Sequence, residues 1–179
     1  MQHTAGTTQS WTTAWILAIA MIAVWLNLQP DWAFMRESKW AWPVIEYIHV
    51  LCLVGFFGLR TAIDLRLTNR AFVGVPIRNL LQNLMPAATV LAMVTIASGM
   101  ALYSATPEIM SGRPMFQLKI AVLIVALLNF CYLQAYAQPA VEKLEAEGVL
   151  PIATRISAAL SIALWVVVIV ASMLIPYIT

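Results

Sequence analysis

His49 is the residue whose type and position point most directly to chemistry. It lies about a turn and a half inside an apolar run from Pro43 to about Ile63, long enough to cross a bilayer. An imidazole can exchange a proton near neutral pH, ligate a metal or hold an oxygen through a hydrogen bond. An ionisable group at membrane depth faces a packed interior or a water-filled cavity and marks a functional site by default. Glu46 lies three residues before it and Cys52 three after, so helical spacing sets all three along one flank. Lys119 opens another apolar run. A carboxylate, an imidazole and an ammonium pair readily in a low-dielectric interior, because an unpaired charge there is costly.

The elements that must position these groups follow from composition. Of 179 residues, 62% are hydrophobic and 10% charged, against about a quarter charged in soluble domains. The chain therefore reads as an integral membrane protein. A net charge of +2 with no basic stretch gives no nucleic-acid footprint. The two cysteines, Cys52 and Cys131, fall in apolar runs and read as small packing residues.

Five apolar runs, Thr12–Leu28, Pro43–Ile63, Leu84–Tyr103, Phe116–Tyr136 and Arg155–Tyr177, are each long enough to span as a helix. The expected fold is all-α, a single membrane domain of five transmembrane helices over residues 1–179. The first run lacks the basic flank and cleavage site of a signal peptide and reads as a retained helix. Arg60, Arg66, Arg70, Arg78, Lys143 and Arg155 fall on the N-terminal side, against Arg36, Lys39, Arg113 and Lys119 on the other. The positive-inside rule then places the N-terminus in the cytoplasm and the C-terminus in the periplasm of a bacterial inner membrane. The stretch Pro30–Trp42, rich in tryptophan, reads as an interfacial segment at the outer surface, or as a lid over the helix ends.

With that topology Glu46, His49 and Lys119 share one level near the outer face, and they form one pocket if the second and fourth spans touch. The competing arrangement has Lys119 snorkelling, Glu46 in water and His49 bonded to nearby backbone. Haem b is one cofactor for such a site, held by His49 alone, by His49 with Met100 or Met173, or by His49 from two copies. A quinone whose carbonyl is held by His49 is another. His49 is also the candidate metal ligand, with Cys52 and methionines as a soft set for copper. Arg60, Asp64 and Arg66 read as a structural ion-pair group, Arg60 and Asp64 pairing at i, i+4 on the helix surface. Gly55, Gly58, Ala97, Gly99, Ala101, Ser157, Ala158, Ser161 and Ala171 permit close helix approach, and Asn129, Tyr132 and Gln134 can bond across helices. The sequence has no phosphate loop, nucleophile elbow or HExxH.

The stretch Trp42-Pro-Val-Ile-Glu46-Tyr-Ile-His49, with Gly55, Gly58 and Asp64-Leu-Arg66-Leu after it, resembles a family of small bacterial inner-membrane proteins without an established activity. That family pairs E-x-x-H with D-L-R-L on one helix. The resemblance implies a proline opening the next helix, here Pro86, a glycine near its end, here Gly99, and a Phe-x-x-Lys opening the following helix, here Phe116 to Lys119. In style it is distantly similar to copper-resistance and cytochrome b561 bundles, which carry several bundle histidines. The Gly-Arg that often ends the family's last helix is absent here, where Ala171 and Ser172 stand.

The chemistry expected is thus a cofactor-binding membrane subunit in electron transfer, with Glu46 orienting His49 and Lys119 compensating charge. The alternatives are a non-catalytic assembly subunit of a larger membrane complex and a copper or small-molecule transporter. The expected partners are membrane lipid and further membrane subunits or copies of the chain, and an enzyme complete in itself is not indicated.

Overall fold

The structure, a computed structural model, describes residues 3–147 and 149–178, with the side chains of 3–12, 14, 137–139, 142 and 145–147 left aside. Among the described residues seven helices follow one another: α1 (His3–Leu28), α2 (Ala33–Glu37), α3 (Ala41–Leu67), α4 (Ile77–Tyr103), α5 (Pro107–Ser111), α6 (Pro114–Glu147) and α7 (Ile152–Leu174). No strand occurs among the described residues. Four stretches, α3, α4, Pro114–Tyr136 of α6 and α7, are long and apolar enough to cross a membrane. In α1 the apolar part is the shorter Trp15–Leu28. The helices overrun the apolar runs because polar residues at their ends continue the turns. Pro86 stands inside α4, and it is Pro76 that occupies the N-cap, so the proline expected to open this helix lies well within it.

Helix α3 shows how the bundle is sorted. Val44, Ile48, Leu51 and Val54 are exposed, while Phe56, Arg60, Ile63, Asp64 and Leu67 are buried. Apolar side chains can stay outward in hydrocarbon, and it is the polar groups that must turn inward. Association then rests on close packing and on bonds between helices. On α7 the small residues Ser157, Ala158, Ser161 and Ala171 are all buried, and α6 packs along that face. Asn129 donates to the Ser157 carbonyl at 3.0 Å and accepts from the Ser157 hydroxyl at 2.5 Å. Gly55 admits Leu91, whose Cδ1 would lie 3.0 Å from an added Cβ, whereas Gly58 faces open space and is not needed for approach.

Helix α3 packs along α4 and α7, and α6 along α7 and α1. The centre is aromatic: Phe130 meets Trp15 edge-on at 4.8 Å, and Phe56 meets Trp165 edge-on at 4.6 Å. Each such pair contributes about 0.5–1.5 kcal/mol beyond its contact area. Helices α3 and α6 do not run along each other, but meet where Phe56 and Arg60 reach the Phe130 ring.

Arg60 and Asp64 form a two-pronged ion pair at 2.6 and 3.0 Å. It is almost wholly enclosed, with Arg60 1% and Asp64 0% exposed. The expectation of a pair on the helix surface is therefore corrected, because the i, i+4 step points both groups into the bundle. Arg66 lies outside this pair, donating to the Val75 carbonyl at 2.7 Å. It ties down the turn after α3, which ends where Asn69 takes a left-handed backbone (φ 59°) that asparagine tolerates.

At the opposite end of α3, the segment through α2 is tied to the end of α4. The Trp32 amide donates to the Ser104 carbonyl at 2.8 Å. Arg36 bridges Asp31 and the Ala105 carbonyl. The Arg36 hydrogen bond holds the Asp31 carboxyl below its usual range. A lowered carboxyl stabilises the folded segment above the free-chain value of about 3.9, and that contribution fades as pH falls toward the lowered value. Amide exchange over residues 31–37, corrected for intrinsic rates, is expected to quicken below about pH 4. Asp31→Asn should abolish this pH dependence, and an unchanged profile would show that the pair does not hold the segment.

Candidate functional site

A cavity of about 90 Å³ lies between the five long helices, at the end of the bundle where α1 finishes and α3 and α6 begin. His49 of α3 and Lys119 of α6 both line it, with Gly99 and Met100 of α4 and Trp25 of α1. Phe56, Leu127 and Trp165 line its other end, seven or eight residues along their helices, roughly 10–12 Å at the helical rise. The wall is overwhelmingly apolar.

The His49 ring is fixed from two sides. Gly99 leaves room for it, since a Cβ at that position would stand 3.0 Å from the ring Cε1. Its Nδ1 lies 3.0 Å from the Ser98 hydroxyl. That hydroxyl has one proton, and its shortest bond, 2.6 Å, goes to the Val94 carbonyl. Ser98 is therefore the acceptor for Nδ1–H, so the neutral ring is the Nδ1-protonated tautomer, with a free lone pair on Nε2. In this state His49 accepts a hydrogen bond at Nε2. The expected donation from His49 to a quinone carbonyl does not suit this tautomer, in which Nε2 accepts.

Lys119 is half-buried, and among the described residues it has no carboxylate partner. Glu46 does not supply one. It is exposed and accepts from the Trp42 indole at 3.2 Å. Three residues before His49 on α3, it stands nearly a turn closer to the helix start, where Trp42 holds it. The structure brings His49 and Lys119 to one cavity and leaves Glu46 outside. Direct packing of α3 against α6 is not what joins them, because the cavity is bounded by all five helices.

The other polar groups on the wall are mostly engaged. Thr95 donates to the Leu91 carbonyl at 2.8 Å and Ser172 to the Val168 carbonyl at 2.7 Å. The Trp25 indole donates to the Ser104 hydroxyl at 2.9 Å, and Tyr103 reaches the Leu26 carbonyl at 3.3 Å. Trp165 differs: it is 4% exposed, and its Nε1–H has no partner among the described residues. No sequence pattern marks it out, since a lone tryptophan in the most apolar run looks like packing.

Cys52 is half-buried and free, and Cys131 buried and free. Among the described residues no three His, Cys, Asp or Glu side chains gather to hold a metal ion. Met100 shares the cavity wall with His49, whereas Met173 is exposed. No protein family, no curated protein and no solved structure matches this chain.

Proposed function

We propose that this is a five-span protein of the bacterial inner membrane whose interhelical cavity receives the oxygen-bearing ring of a lipophilic carrier of the quinone type. The observation that carries the reading is Lys119, a cation without a carboxylate partner on the wall of an apolar cavity. Such a charge is costly to enclose unless an acceptor or anion meets it. A ring oxygen supplies that acceptor. The Nε2 lone pair of His49 takes the hydrogen bond of the same group when it is reduced and carries a hydroxyl. The carrier's hydrocarbon tail belongs in lipid, which the partly open cavity allows. The fifth span is α1, whose Trp15, Ala18 and Ile22 are buried in the bundle, and the positive-inside rule sets the cavity on the periplasmic side. The chain then holds a carrier for partner membrane subunits.

Haem b is a second reading, favoured by the free Nε2 and by Met100 on the same wall. The cavity's scale counts more heavily against a macrocycle than against a single ring: at about 90 Å³ it is below even the ~150 Å³ apolar cavity that takes benzene, so a ring must also use the cavity's open side.

The test uses the purified protein in lipid nanodiscs, titrated calorimetrically with a short-tailed 1,4-benzoquinol and its quinone. Saturable binding is expected, with Lys119→Met weakening it at least about tenfold, the equivalent of ~1.4 kcal/mol. A non-saturating titration, or binding indifferent to Lys119→Met, would sink the reading. A Soret band in the same preparation, lost in His49→Ala, would replace it with haem.

A further inference from the structure

The long helices do not close on one another evenly around the cavity. Among the described residues α4 packs lengthwise with α3 alone, and α1 with α6 alone. From neighbour to neighbour the ring therefore runs α4, α3, α7, α6, α1. Four of its seams are packed along the helices, and the fifth, between α1 and α4, is not. Helix α1 gives Ile22, Trp25 and Leu26 to the cavity wall, and α4 gives Ile96, Met100 and Tyr103. Helices in a membrane are held by close packing and by bonds between them, so this seam parts at the least cost.

What closes it is a clasp at the end where α1 finishes. The Trp25 indole donates to the Ser104 hydroxyl at 2.9 Å and to the Met100 carbonyl at 3.2 Å. The Tyr103 hydroxyl donates to the Leu26 carbonyl at 3.3 Å. Beyond α1, the strap of residues 29–38 adds two ties to the end of α4, the Trp32 amide on the Ser104 carbonyl and Arg36 on the Ala105 carbonyl. The Trp32 ring meets the Trp25 ring edge-on at 5.5 Å, so the strap braces a residue of the cavity wall directly. Its first residue, Gln29, is held at φ 44°, a left-handed backbone that a glutamine keeps only where its surroundings impose it.

We propose that the seam between α1 and α4 is the ligand's passage between bilayer and cavity, and that the strap of residues 29–38 is its latch. This rests on the reading of the cavity as a ring-binding site. Arg36 is the part of the latch that does not line the cavity, so it acts on passage and not on the bound ring. Loosening it raises the population of the open seam, which speeds entry and exit by the same factor. The affinity, set by the wall, stays where it was.

The first test needs no ligand. Cys52 and Cys131 are replaced by alanine, and the reaction of Met100→Cys with N-ethylmaleimide is timed in nanodiscs. Arg36→Gln is expected to speed that reaction about tenfold, the equivalent of one charged hydrogen bond. Asn79→Cys, exposed at the far end of α4, should react at an unchanged rate. An unaltered rate at Met100→Cys would overturn the latch. Equal acceleration at both positions would show a loosened bundle and overturn it too. Tyr103→Phe removes only the hydroxyl bonded to Leu26, should act in the same direction, and decides the matter if Arg36→Gln folds poorly. The second test follows binding of the short-tailed quinol by stopped-flow fluorescence. Association and dissociation should both rise about tenfold in Arg36→Gln, with Kd unchanged to within about twofold. A weaker Kd with unaltered association would make Arg36 a prop of the bound state and overturn the proposal. If the quinol does not bind the unaltered protein, the ring-binding reading fails, and the labelling at Met100→Cys still decides whether the seam opens.

Discussion

Asp64→Ala is expected to destabilise the protein by about 3–5 kcal/mol, because it leaves the Arg60 guanidinium charged, enclosed and without its carboxylate. The pair is 1% and 0% exposed, with both of its hydrogen bonds inside the bundle. Its other support is the Phe130 ring, whose centroid lies 4.9 Å from the Arg60 Cζ, and a ring face offsets only a part of a buried charge, on the order of 2 kcal/mol. Replacing both partners with leucine should recover most of the loss, since no uncompensated charge remains. Reversible unfolding in mixed detergent micelles measures all three proteins. If Asp64→Ala falls within about 1 kcal/mol of the unaltered protein, the pair is hydrated in the membrane and behaves as a surface pair does.

Gly99→Val should remove ligand binding while costing only about 1–3 kcal/mol of stability, the usual range for overpacking. Even a single Cβ at this position would sit 3.0 Å from His49 Cε1 and 3.5 Å from Nδ1. A branched side chain must therefore displace the ring and break its bond to Ser98. Gly99→Ala should give an intermediate loss. Nitrogen-15 shifts of the imidazole separate displacement from unfolding: the Nδ1-protonated pattern is expected in the unaltered protein and should be lost in Gly99→Val. Full binding by a well-folded Gly99→Val would show that the ring's position against α4 is unimportant to the site.

Much of this was legible in the residues. The small residues of α7 that suggested close approach are those found buried, and the i, i+4 step from Arg60 to Asp64 did forecast their pairing. What spacing along one helix could not give was the direction each flank faces. Glu46 and His49 share a flank, but Glu46 meets Trp42 and the exposed surface while His49 meets Gly99 and Ser98 on α4. Arg60 and Asp64 failed the surface expectation for the same reason. Of the cavity wall, the sequence singled out His49 and Lys119 as site residues, and Met100, Gly99 and Phe116 beside them. Its closing by five helices, and the unpaired N–H of Trp165, depend on packing between segments far apart in sequence, which no local pattern encodes.

The short chain of bonds from His49 Nδ1 to Ser98 to the Val94 carbonyl has a consequence for vectorial chemistry. A relay passes protons only if each member can release one on its far side after receiving one on its near side. Here the chain ends on a main-chain carbonyl, which has no proton to hand on. The imidazole therefore has a single doorway, Nε2, and any proton it takes from the cavity must leave by the way it came. A proton that reaches His49 from the cavity is therefore returned to the cavity, and the histidine is a dead end for transfer across the bundle.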